Sequence, residues 1–156
     1  MGLGPSTKET TLHHFRDPLL DIISDDEEID LAGIVLSGIP DNDEKKRFIA
    51  IRTAHTLEAM GVDGAIVSLD SWGNSHIDFA YTLEEIGKIN IDTVGLTFIG
   101  KQGDLVVKND YMDTIVDINK SKEGKETEVV GENNLDKLDA KKAVALLKLK
   151  LRKGCS

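Results

Sequence analysis

The sequence predicts a three-layer α/β fold, in which a mostly parallel sheet is flanked by helices. Three observations carry this. Short, nearly continuous apolar runs at 31–38, 62–69 and 93–99 read as strands covered on both faces. Segments with helical spacing, 41–60 and 74–88, separate them. Strands alternating with helices of that length form βαβ units with right-handed crossovers.

The elements follow in chain order. Residues 4–8 form a loop punctuated by glycine and proline. Residues 10–24 set Leu12, Phe15, Leu19, Ile22 and Ile23 at helical spacing, and Pro18 inside them requires a break or a late start. The acidic run 25–28 reads as a solvated connector, and the first strand, 31–38, ends at Gly38-Ile39-Pro40. Asp41 stands as the cap of the next helix, with Glu44 three residues on, and Gly61 is a suitable stop. Ala50, Ala54, Leu57 and Met60 share one face of that helix, and Phe48, Arg52 and His55 another. The second strand, 62–69, leads into a polar turn, after which Asn74 or Ser75 caps a helix reaching Lys88. That helix packs through Phe79, Leu83 and Ile86. The third strand is 93–99, and weaker β signals lie at 105–108, 114–118 and 126–130. A helix at 136–153 closes the chain. The pattern is Rossmann- or flavodoxin-like, with an N-terminal extension, 1–28, packing on an α/β domain, 29–153.

Composition excludes several functions. A chain of 156 residues is one domain's worth. Its net charge of −9 speaks against a nucleic-acid partner. One cysteine, Cys155, excludes an internal disulfide and a cysteine-built metal site. No apolar run spans a membrane and no signal peptide is evident, so a cytoplasmic location is expected. Met1 to Ser6 satisfies a myristoylation spacing, but that pattern is too short to carry weight. The charge is uneven: residues 136–153 hold seven basic and two acidic residues, against twelve basic and twenty-six acidic elsewhere. A packed amphipathic helix with its lysines in water explains this, and a basic docking face for an acidic partner or a second copy is the alternative.

Ligands of open α/β sheets bind beyond the carboxyl ends of the strands. Three polar loops stand there, at 37–42, 70–76 and 100–104. The middle loop is the richest, with Asp70, Ser71, Trp72, Asn74, Ser75 and His76 as binding candidates. His76 could act as acid, base or electrophile. A packed tryptophan and simple helix caps are the competing reading. The second candidate group is His13, His14 and Arg16, the arginine suited to a carboxylate. Adjacent histidines cannot share a helix face, so no metal site is expected there. No phosphate-binding loop, dinucleotide fingerprint, zinc-protease or hydrolase motif occurs, and no residue is singled out as catalytic.

Residues 2–18, residues 62–78 and the stretch 129–134 before the lysine-rich helix together resemble one family. It comprises the pyruvoyl-dependent D-proline reductases and component B of the glycine, sarcosine and betaine reductases. The resemblance implies reductive amino-acid fermentation in the cytoplasm of anaerobes. In the family a proprotein is cut at an internal cysteine that becomes a pyruvoyl group, and a selenocysteine-bearing subunit completes the reduction. This chain has no internal cysteine for that cut, so the resemblance implies no cofactor here. It implies a short stand-alone relative, of the kind encoded beside proline reductase genes. Such a chain would be an accessory subunit, a maturation factor, or an amino-acid or anion binding domain. Its partners would be the pyruvoyl and selenocysteine chains, with self-association also possible.

Overall fold

The computed structural model describes residues 17–69, 73–97, 106–122 and 135–154. Three strands, β1 (Gly64–Ser68), β2 (Asp92–Thr97) and β3 (Ile115–Asp117), form a parallel sheet in the order β1-β2-β3. Four helices flank it: α1 (Pro18–Ser24), α2 (Asp43–Met60), α3 (Asn74–Lys88) and α4 (Lys137–Gly154). This is the three-layer α/β fold that the alternation of runs predicts.

Strand alternation decides which helix covers which face. On β2, Val94 and Leu96 point into a core with Ala140, Ala143, Val144 and Leu147 of α4 and Leu19 of α1. Gly95 points the other way, where a Cβ would stand 2.7 Å from Phe79 Cζ and 3.4 Å from Leu83 Cδ1 of α3. The α3 side holds two further clusters, one around Phe79, Ala80 and Leu83, the other joining Ile86 to Ala54 and Leu57 of α2.

Helix ends follow local chemistry. Pro18 is the first residue of α1, where its missing N–H costs nothing, and Asp17 accepts from Leu19 N at 2.9 Å. A helix thus begins at Pro18, as a break or a late start there requires, and residues 10–16 of the predicted helix lie outside the described residues. The cap of α2 is Asn42, which accepts from Lys45 N at 3.1 Å, so the expected Asp41 cap is displaced by one residue. Gly61 closes α2 at φ +68° as expected. At α4, Asp136 Oδ1 accepts from Leu138 N at 2.8 Å and Asp139 N at 2.9 Å, while Asp139 Oδ2 accepts from Asp136 N at 3.3 Å. That reciprocal capping box is closed by Lys120, whose Nζ lies 3.0 Å from Asp136 and 2.8 Å from Asp139.

The terminal helix packs as the amphipathic reading expects. Its basic face is largely engaged within the chain: Lys148 pairs with Asp26 at 2.8 Å and Glu28 at 2.5 Å, Arg152 with Glu28, and Lys150 with Asp113. The acidic connector thus holds α4. The Lys148 ammonium, bonded first to Asp26 and then to Glu28, is held above its ordinary range.

One predicted strand is not a strand. Residues 31–38 run extended along α2, and no main-chain hydrogen bond ties residues 29–41 to another described element. A Cβ at Gly33 would stand 3.1 Å from Met60 Cε, Ser37 Oγ lies 3.2 Å from Thr53 Oγ1, and Gly38 rests on Ile49. Val35 reaches the α2/α3 core, but Ile34 and Leu36 are 64% and 76% exposed. A continuous apolar run predicts cover on both faces, and here only one face has it. Of the weaker β signals, 114–118 holds β3, residues 106–108 form no strand, and 126–130 lies outside the described residues.

Candidate functional site

The carboxyl edge of the sheet is where α3 begins. Leu69 N donates to Leu96 O at 3.0 Å, which keeps β1 and β2 in register to that edge. Gly73, at φ +68° and ψ −121°, is the cap of α3 and provides no side-chain hydrogen bond. The expected caps, Asn74 and Ser75, already lie within the helix. Glycine adopts that conformation without strain, and the Gly73 carbonyl accepts from His76 N at 3.0 Å in the first turn of α3.

His76 lies in that turn and is fully buried, its ring centroid 5.5 Å from that of Phe79. Asn74 is exposed and Ser75 half-buried. On β2, Thr97 is fully buried, with no hydrogen-bond partner for its Oγ1 among the described residues. By strand alternation it shares the face of Gly95, and since Gly95 meets Phe79, Thr97 faces the turn before Phe79, that of His76.

Beside this turn lies an ion pair that sequence reasoning missed. Lys46 of α2, 3% exposed, donates to Asp78 Oδ2 of α3. Asp78 Oδ1 is buried and has no partner among the described residues. The signal was available, because Lys46 falls on the stripe that continues through Ala50, Thr53, Ala54 and Leu57 and is buried throughout. The two helices are further joined at their outer rim. Arg47 Nη2 donates to Tyr81 Oη at 2.8 Å, and Tyr81 donates to Asp43 at 2.9 Å. Burial first, then the Asp43 carboxylate, raises the Tyr81 phenol above its ordinary range.

Asn74, Ser75 and His76 are thus brought to one helix turn. Asp70, Ser71, Trp72, His13, His14, Arg16 and Cys155 lie outside the described residues, as does the loop 100–104. Among the described residues, no three His, Cys, Asp or Glu side chains form a metal-holding group. No described helix is long and apolar enough to cross a membrane.

Residues 3–140 match the family described as glycine/sarcosine/betaine reductase component B subunits. The chain belongs to that family. The resemblance read from residues 2–18, 62–78 and 129–134 therefore holds across most of the chain. The chain is also 43% identical, over 146 residues, to the D-proline reductase proprotein PrdA of Acetoanaerobium sticklandii. The match covers 94% of this chain and 23% of that relative, so this component B family chain spans about a quarter of the proprotein's length. No solved structure matches it.

Proposed function

We propose that this chain is a component of a D-proline reductase system, or of a glycine- or betaine-type one, in reductive amino-acid fermentation. It works with other subunits and is not a reductase on its own. The observation that carries this reading is the cysteine count set against the match. The family segment is residues 3–140, and the chain's one cysteine, Cys155, lies beyond it. The matched residues 3–140 hold no cysteine from which a pyruvoyl group could be made. The electrophilic carbonyl and the selenol belong, in this reading, to partner chains in the cytoplasm.

The test is D-proline, glycine and betaine reduction with a dithiol, using the purified chain alone and then with larger reductase subunits. No turnover alone is expected. Turnover by the chain unaided contradicts the accessory role.

A second reading, a small-carboxylate site at the start of α3, is favoured by one specific feature. Thr97 Oγ1 is buried with no partner among the described residues, on the sheet face that the start of α3 covers, and helix N-termini favour anions. Binding to the folded state raises the melting temperature. A screen of D-proline, glycine, betaine and acetate giving no shift removes this reading and leaves the first intact.

A further inference from the structure

The segment beside α2 presents two things that folded chains rarely leave open together. Its main chain makes no hydrogen bond to any described element from residue 29 to 41, and its apolar side chains Ile34, Leu36 and Ile39 are exposed. Phe48 and Ile51, also exposed, flank Ile49, on which Gly38 rests. Unpaired extended main chain is a template for pairing with another strand, and contiguous exposed apolar groups mark an interaction surface.

We propose that residues 31–39 are a docking edge for an extended apolar segment of another polypeptide, one whose flanks carry lysine or arginine. Charge selects that occupant over a second copy. Asp25, Glu27 and Asp30 before the edge and Asp41 and Glu44 after it are exposed and form no ion pair among the described residues, and they outnumber the nearby exposed cations Lys45 and Arg52, the latter 5.9 Å from the Phe48 ring. An antiparallel pairing of two copies would set these carboxylates against each other, and like charges oppose such an arrangement. The length of the relative agrees. Only 23% of the D-proline reductase proprotein matches this chain, so in that protein most of the polypeptide lies outside the matched region and can cover such an edge. In strand addition the main chain supplies affinity and alternate side chains supply specificity.

The experiment uses the full chain and a labelled peptide, Lys-Lys-Val-Thr-Val-Ile-Val-Thr-Lys-Lys, read by fluorescence anisotropy and amide hydrogen exchange. Two control peptides accompany it. One keeps the charge but carries proline at its two central positions, and the other has glutamate flanks. Binding of the first peptide is expected to be at least tenfold tighter than that of either control, with exchange slowed within residues 31–39. The double variant Ile34→Ser/Leu36→Ser should lose at least tenfold in affinity while keeping the melting temperature. Leu36→Pro, which removes one donor from an exposed site, should do the same if the serine variant folds poorly. Absence of binding, or equal binding of the proline control, overturns the docking edge. Equal binding of the glutamate-flanked peptide overturns the basic partner. Sedimentation of the chain alone as a dimer, with exchange slowed at 31–39, overturns the choice of a different chain and assigns the edge to a second copy.

Discussion

Replacing Lys46 by methionine isolates the buried link between α2 and α3. The side chains of Lys46 and Asp78 are 3% and 9% exposed, so neither can turn to water when its partner is lost. Asp78 Oδ1 already lacks a partner among the described residues, and Lys46→Met removes the partner of Oδ2 as well. Leaving one member of such a pair buried and uncompensated costs about 3–5 kcal/mol. For a chain of this size that corresponds to a melting temperature lower by roughly 6–20 °C, at about 2–4 °C per kcal/mol. The variant Lys46→Met/Asp78→Leu removes both charges and fills the same space, and it should recover most of the loss. Urea denaturation of the wild type, both single variants and the double variant, with unchanged slopes, yields the coupling directly. A cost for Lys46→Met below about 1 kcal/mol, the ordinary worth of an exposed pair, would refute the reasoning.

Three further outcomes are expected. Gly95→Ala puts a methyl 2.7 Å from Phe79 Cζ and 3.2 Å from Ile115 Cγ1 in a packed core, so denaturation should show a loss of about 1–3 kcal/mol. Gly61→Ala and Gly73→Ala both place alanine at φ +68°, with no atom of the described residues within 4 Å of the new Cβ in either case. Gly61, at ψ 35°, should cost about 1 kcal/mol, whereas Gly73, at ψ −121°, lies outside the left-handed helical region and should cost more; equal melting temperatures would contradict this. Asp136, held at about 2 first by the Asp139 N–H and then by Lys120, has a folded pKa below its unfolded value of 3.8. Its stabilisation is therefore present above pH 4 and is lost as pH falls from 4 towards 2. Half of that side chain meets water, so the loss is nearer a helix cap's about 1 kcal/mol than the full shift implies; Asp136→Asn should flatten this part of the stability–pH curve, and an unchanged curve would remove the assignment.

The layers were legible because β2, α3 and α4 bury continuous, correctly spaced apolar sets. The segment at 31–38 was not, because an apolar run states a preference for cover without stating whether a neighbour provides it. The caps slipped by one residue for a local reason. Asp41 and Asn42 are both good caps, as are Asn74 and Ser75, and tertiary placement selects between them. At α3 the selection went to neither, because the cap position takes φ +68° and ψ −121°, a conformation that Gly73 adopts without strain. Lys46 was overlooked because lysine is rarely buried, although its position on the stripe beginning the face of Ala50 and Leu57 marked it. The partner that buries it, Asp78, is 32 residues away on another helix, a pairing that spacing alone does not reveal.

Whether the chain works as one component of a larger reductase is tested most directly by purifying the tagged protein from its native cells and identifying what it carries. Stoichiometric association with larger chains bearing a pyruvoyl group and a selenocysteine is expected. A chain that elutes by itself and reduces D-proline with a dithiol would contradict it.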